Sequence, residues 1–463
     1  MDPDLIIFGN IVLSDRIITD GFVAIHGEKI IAVGDTSDGV PSAQATDDQR
    51  GNWVFPGVVD GQTHVEASRM MDGFGGASVA AAMGGVTTIV DMPFDEAGLV
   101  CTVARFSEKR STAERLSIVD VALHASISPN EAGLAEIPRL VEAGAAAFKF
   151  STLHRDDDRF PRIMPHLMYR ACRMIAPTGL AVGIHNETDD MVHYGMEQAR
   201  AAGGNGGELH GKSRPPIAEN LAMHEIYEIG AATGCRAHVV HVTTGRGCEI
   251  AEDYRRRGHH ASVETCIHYL LLDEEDVKRL GAFGKINPPI RNHREVDALW
   301  RHLLAGNVHF VSTDHVGWPR STKETAHILD ASSGVPGLDL LLPLSVDACL
   351  SRDVPLTWIS RLLGEGPAKH FRIDQQKGAI RPGLDADLAI VAKESHTYEP
   401  PTGPGWTGWS PYAGRKLSTK VITTYRRGSC IFRDGEIQAK PGSGTFLRPQ
   451  IAAGCAPAPI FLE

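Results

Sequence analysis

Short apolar runs alternate with helical stretches through the middle of this chain, and that alternation limits the fold more than any other feature. The runs are Val54 to Asp60, Thr87 to Asp91, Val119 to Leu123, Ala145 to Phe150, Ala181 to His185, Ala237 to His241, Ala261 to Glu264 and Phe310 to Asp314. Each reads as a β-strand. Segments with helical spacing intervene, such as Ile217 to Thr233 and Arg294 to Leu304. About eight β/α units predict an α/β protein whose main body is a (β/α)8 barrel. The two ends differ in character. Leu5-Ile6-Ile7-Phe8, Phe22 to His26 and Lys29 to Val33 are short strands with turns, and Ala386 to Val391 and Val421 to Tyr425 resemble them, with a turn at Asp434-Gly435. The ends are expected to pair into one small β-sandwich. The predicted boundaries are 1–53 for its first part, 54–376 for the barrel, 377–440 for its second part and 441–463 for a C-terminal tail. Pro400 to Pro411 and Pro457 to Glu463 read as loops.

Bulk properties narrow the function. With 463 residues, the chain exceeds what one ordinary domain needs. The net charge is -11, and the densest basic patch is Arg255-Arg256-Arg257, so nucleic-acid binding is not expected. No apolar stretch approaches the ~20 residues of a membrane span. The acidic start, Met1-Asp2-Pro3-Asp4, does not resemble a secretory signal. The 8 cysteines show no CxxC spacing and fit reduced thiols better than a disulfide framework. A cytoplasmic protein is the expectation.

Lys149, in Ala147-Phe148-Lys149-Phe150-Ser151, stands out chemically. It lies in an apolar run with no acidic residue close in sequence, and a buried ammonium is costly unless it is paired or chemically changed. His64, His185, His241 and Asp314 each follow or end a strand-like run. Reaction with CO₂ would turn the lysine into a carbamate whose two oxygens could bridge two metal ions.

The order of motifs resembles the amidohydrolase superfamily, in its cyclic-amide branch of dihydropyrimidinases, hydantoinases and allantoinases. The residues that carry this are Phe55 to Asp60, Gly84 to Met92, Phe148-Lys149-Phe150, His185-Asn186-Glu187 and Arg214 to Glu219. Further along come His238 to Thr243, Glu264 to Leu270, Asn287 to Arg291, Ser312 to His315, Lys377-Gly378, Gly383 to Leu388 and Ser410-Pro411-Tyr412. The resemblance implies a hydrolase that opens a cyclic amide, imide or ureide at its C–N bond with a metal-bound hydroxide. It implies that carbamylated Lys149 bridges two ions, that His64 and Asp314 serve one and His185 and His241 the other, and that Asp314 is general base and acid. Zinc is the expected metal, with manganese as the alternative. The resemblance also implies a dimer or tetramer of identical chains.

The chain departs from the family pattern at three places. Gln62, in Asp60-Gly61-Gln62-Thr63-His64, stands where the first metal histidine belongs, and its carbonyl is a weaker ligand than imidazole. His154 stands where relatives carry an oxyanion-stabilising tyrosine, and a histidine there could donate a hydrogen bond. Ser333 takes the place of a substrate-holding asparagine. Asn287 occupies a position that contacts the substrate ring through its backbone in relatives.

Plainer readings stay open. Lys149 could snorkel to a surface. His185 and His241 could be core histidines, and Asp314 could cap a helix. His238 and His268 read as structural or as supports of the metal ligands. Trp318 and Trp406 are candidates for pocket walls or exposed loop aromatics. Two other functions also remain: a one-metal enzyme cleaving a linear amide, carbamate or lactone, and a non-catalytic scaffold.

Overall fold

A computed structural model describes residues 2–68, 71, 73–325, 327–403 and 405–451. Eight parallel strands form a closed ring: Val58–His64, Val86–Asp91, Asp120–Ala125, Ala147–Ser151, Ala181–His185, Arg236–Val239, Ala261–Cys266 and a last strand in two pieces. Those pieces, Phe310–Ser312 and His315–Val316, do different jobs. The first pairs with Ala261–Cys266 and the second with Val58–His64, so the chain bends at Thr313 and Asp314 as it closes the barrel. The register between Ala147–Ser151 and Ala181–His185 sets Lys149 opposite Gly183. A Cβ at that glycine would lie 3.3 Å from Val240 and 3.7 Å from the Lys149 stem, so its absence leaves the lysine room to extend.

Helices wrap the ring, and several bury a single face, whereas Leu341–Ser351 is buried nearly all round. Pro165–Ile175 starts with proline in its first turn, where no amide is needed, and buries Leu167, Met168, Ala171, Cys172 and Ile175. His293–Leu304 is capped by Asn292, whose side chain accepts from the Arg294 and Glu295 amides, and buries Val296, Leu299, Trp300 and Leu303. Among the described residues, no helix is long and apolar enough to cross a membrane.

Both chain ends contribute to the small β-sandwich, as expected. Its strands run in the order Glu436–Ile437, Ser429–Arg433, Lys420–Arg426, Leu388–Ala392, Ala45–Pro56, Leu5–Val12, Ile17–His26 and Lys29–Asp35. Ile7, Val23, Ile25, Val54, Leu388 and Ile390 form its core. The central strand, Ala45–Pro56, pairs parallel with Leu5–Val12 and antiparallel with Leu388–Ala392, and its far end leads into the barrel.

A buried ion cluster joins the two units. Lys377 Nζ lies 2.5 Å from Asp120 Oδ2, 2.9 Å from Asp385 Oδ2 and 2.8 Å from Asp387 Oδ2. Asp120 opens a barrel strand, whereas the other two carboxylates lead into the sandwich. Residues beyond the sandwich return to the barrel: the Val121 amide donates to Thr445 O and the Leu447 amide to Val121 O, which closes the lower rim beside Asp120. The loop expected at Pro457 to Glu463 lies outside the described residues.

Candidate active site

A cavity of about 130 Å³ opens at the C-terminal ends of the barrel strands. That end is where barrels of this kind carry their chemistry. Gln62, His64, Lys149, His185, His241, Asn287, Asp314 and Ser333 all line it. His154 does not. Its side chain is half-exposed and faces Asp157 at 3.8 Å, while its amide donates to Asp189 Oδ1. The neighbouring Arg155 lines the cavity instead. The loop after Ser151 thus turns one residue away from the register expected for an oxyanion-stabilising histidine.

The potential donor atoms come as two facing pairs. His185 Nδ1 lies 3.0 Å from His241 Nε2, and His64 Nε2 lies 3.3 Å from Asp314 Oδ1. Burial lowers the basicity of both His185 and His241, so both rings are neutral at pH 7. The opposite nitrogen of His185, Nε2, sits 2.8 Å from Glu187 Oε2. That carboxylate can only accept, so the ring proton is assigned to Nε2 and the Nδ1 lone pair points to the cavity. Burial opposes the charge of Glu187, but Arg214 and His185 outweigh it and hold its carboxyl at about 2. The Arg214 guanidinium donates to the same oxygen.

Two residues of the set adopt left-handed backbone conformations, which cost energy for any residue with a Cβ. His241 has φ 45° and Asp314 has φ 48°. His241 therefore lies beyond its strand, which ends at Val239, rather than closing it as expected. At Asp314 the kink separates the two pieces of the last strand. The Thr313 amide donates to Asp60 Oδ1 at 3.1 Å, and the Thr313 hydroxyl donates to Asp60 Oδ2, which fixes the bend. Gln62 Nε2 donates to Asp314 Oδ1 at 2.8 Å. Burial works to raise the Asp314 carboxyl, but the hydrogen bond and charge of His64 outweigh it and leave it below the usual carboxylate range.

Lys149 is 1% exposed, and among the described residues its ammonium has no hydrogen-bond or ion-pair partner. Burial pushes it down to about 7, against the pull of Asp314 and Glu264. A substantial fraction is thus neutral amine near pH 7, the form that reacts with CO₂.

The far wall hangs on two further buried lysines. Lys285 Nζ donates to Leu329 O at 2.8 Å and Ala331 O at 2.6 Å. Lys323 Nζ donates to Lys285 O at 3.1 Å, Ser332 O at 2.8 Å and Gly334 O at 2.9 Å. Trp318 Nε1 donates to the Ser333 carbonyl oxygen at 2.7 Å. Ser333 therefore stands on a loop whose successive carbonyls are clamped from behind. The Asn287 side-chain oxygen is buried and has no partner among the described residues.

The other named residues separate cleanly. Trp318 lines this cavity, and Trp406 a smaller one next to it. His238 bonds Ser262 Oγ at 2.8 Å beneath the site, and His268 is buried within the electrostatic reach of Asp314. Sequence reading gave no role to Arg155, Arg159, Phe94 or Phe160, which also line the cavity. Glu187 and Arg214 sat inside quoted motifs without a role. Glu187's place two residues after a strand-ending histidine was the available signal.

Whether these residues suit metal ions can be judged from the donors. Among the described residues, no three His, Cys, Asp or Glu side chains converge as a closed cage. The two facing pairs need further oxygens, and two sources are present. Gln62 Oε1 is buried without a partner among the described residues, and Lys149 would offer two oxygens as its carbamate. With neutral imidazoles, a carboxylate and those oxygens, the set suits divalent zinc or manganese.

The Amidohydrolase family profile matches residues 53–431, and the chain belongs to this family. An allantoinase of Solibacter usitatus (strain Ellin6076) is 34% identical over 446 residues, spanning 96% of this chain and 94% of that protein. An L-hydantoinase of Paenarthrobacter aurescens is 28% identical over 452 residues, spanning 96% and 98%. Among solved structures, L-hydantoinase (dihydropyrimidinase) from Arthrobacter aurescens superimposes with TM-score 0.90 at 28% identity, covering 96% of this chain and 100% of that one. A D-hydantoinase gives TM-score 0.88 at 29% identity, covering 97% and 99%.

Proposed function

We propose that this chain is a metal-dependent hydrolase that opens the C–N bond of a cyclic amide, imide or ureide. The observation that carries the reading is Lys149: a buried lysine, without a hydrogen-bond or ion-pair partner among the described residues, that lines one cavity with His64, His185, His241, Gln62 and Asp314. As a carbamate it would serve two ions, His64, Gln62 and Asp314 completing one site and His185 and His241 the other. Bound divalent ions would polarise the ring carbonyl and bring the ionisation of water toward neutral pH. Asp314 has the proton work. Its Oδ1 is engaged by Gln62 and His64, whereas its Oδ2 has no partner among the described residues. An ionised Asp314 takes the proton of the attacking water at Oδ2 and hands it to the ring nitrogen as the C–N bond breaks. Asn287 and Ser333 face the same space and orient the ring.

One observation favours a narrower alternative. Gln62 spends its amide on Asp314, which leaves the first site with a neutral carbonyl where an imidazole would bind more strongly. A single-ion enzyme cleaving a linear amide, carbamate or lactone is the second reading.

Purified protein loaded with zinc or manganese in bicarbonate should be offered hydantoin, dihydrouracil, allantoin and succinimide. Ring opening of at least one, lost in Asp314→Ala, supports the proposal. Turnover of none of them removes it.

A further inference from the structure

The contacts of one buried lysine all lead to a single candidate metal ligand. Lys109 lies on the helix Val103–Leu116, which buries Phe106, Lys109 and Ala113. Spacings of three and four put these residues on one face, so an ammonium enters a face otherwise apolar. Such a charge is costly unless it is matched. It is matched just past the end of the strand Val86–Asp91. Lys109 Nζ lies 2.7 Å from Asp91 Oδ2 and 2.5 Å from Asp95 Oδ1, and it donates to Met92 O at 2.6 Å.

Each of these three partners in turn holds the surroundings of His64. Asp91 Oδ1 accepts the Thr63 hydroxyl at 2.7 Å and the Val65 amide at 2.9 Å, so one carboxylate oxygen grips both neighbours of the histidine. The Met92 amide donates to Thr63 O at 2.8 Å. Asp95 belongs to the short hairpin of Phe94–Asp95 with Gly98–Leu99. The Phe94 ring in that hairpin stacks on the His64 ring, with centroids 5.9 Å and planes 14° apart. The backbone on both sides of His64 and one face of its ring are thus tied to the same ammonium.

His185 has Glu187 behind its ring. Among the described residues His64 has no such support, because the carboxylate it faces, Asp314, is itself a candidate ligand. The direction of the His64 ring is therefore set by its backbone and by Phe94. With Gln62 offering a neutral carbonyl, His64 is also the one imidazole available to the first ion. We infer that Lys109 is a positioning residue for the first metal site: through Asp91, Met92 and Asp95 it holds His64 in the direction an ion needs. The inference rests on the two-ion part of the proposed function and is indifferent to which ring is opened.

Lys109→Met removes the charge and keeps most of the stem. It leaves Asp91 without a cation among the described residues, whereas Asp95 keeps Arg105 at 3.9 Å. Protein loaded with zinc in bicarbonate is mixed with excess chromophoric chelator. Release of each ion is timed for wild type, Lys109→Met, His64→Ala and the double variant. Lys109→Met should release one ion at least about tenfold faster than wild type and leave the second unchanged. Because the lysine acts through His64, adding Lys109→Met to His64→Ala should bring no further acceleration. A lysine that served only stability would speed both ions or neither, and would add its effect in the double variant; any of these results overturns the inference. So does a wild type that releases a single ion at a rate indifferent to His64→Ala. Thr63→Val removes one of the two donors to Asp91 Oδ1 at nearly constant shape and should speed the same ion to a lesser degree. It decides the question if Lys109→Met does not fold, and a wild-type rate in it then overturns the inference. Failure of the ring-opening reading looks different: the release rates keep this pattern while hydantoin, dihydrouracil, allantoin and succinimide all stay intact.

Discussion

Glu187 holds His185 from behind: Oε2 of the carboxylate lies 2.8 Å from Nε2 of the ring, and Nδ1 faces His241. The orientation of one candidate metal ligand is therefore set by a residue that does not itself face the cavity. Such supports tune affinity by about 10–100-fold. Glu187→Gln removes the charge that fixes the tautomer and leaves Arg214 buried without its partner. Metal affinity, measured by competition with a chromophoric chelator, should fall by about that factor. Unchanged affinity would mean that His185 is held by packing alone.

Gln62 is the weakest of the candidate metal donors, and its side-chain amide is turned toward Asp314. Gln62→His substitutes an imidazole for the amide. Expected is a higher metal content after dialysis and slower loss to chelator than in the parent protein. Equal retention in both proteins would remove Gln62 from the first site.

Lys323 supports the wall that carries Ser333. Burial and the charge of Lys285 push it down to about 7, while three carbonyl oxygens facing the ammonium act in the opposite sense. Lys323→Met leaves the Ser332 and Gly334 carbonyls without this donor, at about 1–3 kcal/mol for each buried oxygen left unpaired. The variant should melt at a lower temperature and show a raised KM with a smaller change in kcat. A fall in kcat at unchanged KM would place the lysine in the chemistry instead.

The junction between barrel and sandwich rests on Lys377. It meets Asp120, Asp385 and Asp387, and their charges raise its pKa against the effect of burial. Lys377→Met leaves Asp387 buried without its cation, while Asp120 keeps Arg427 at 3.3 Å and Asp385 keeps Lys29 at 2.6 Å, a loss of about 3–5 kcal/mol for a broken buried pair. Denaturant unfolding should show that loss, or the protein should fail to accumulate in soluble form. A wild-type midpoint would show that Asp387 finds another partner.

The barrel was legible because its strands are uniformly apolar, and both ends of the sandwich announced themselves by short apolar runs. The centre of that sheet did not. Ala45–Pro56 carries Thr46, Asp47, Asp48, Gln49 and Arg50 before it turns apolar at Trp53, and its pairing with two other strands overrides that local character. At the site, the residues at the ends of apolar runs were readable by type and position. What was not readable depends on backbone geometry. The left-handed turns at His241 and Asp314, and the loop that brings in Arg155 in place of His154, follow no periodicity. Lys285 and Lys323 look like ordinary surface lysines until the loop they clamp folds over them.

The most direct measurement is metal content per chain, for wild type and Lys149→Ala, each produced with bicarbonate and with zinc or manganese supplied separately. Two bound ions in the wild type, depending on bicarbonate and lost in Lys149→Ala, are the expected result; one ion would favour the single-metal reading. A wild type without metal, or a metal content indifferent to Lys149→Ala, would contradict the role given to this lysine.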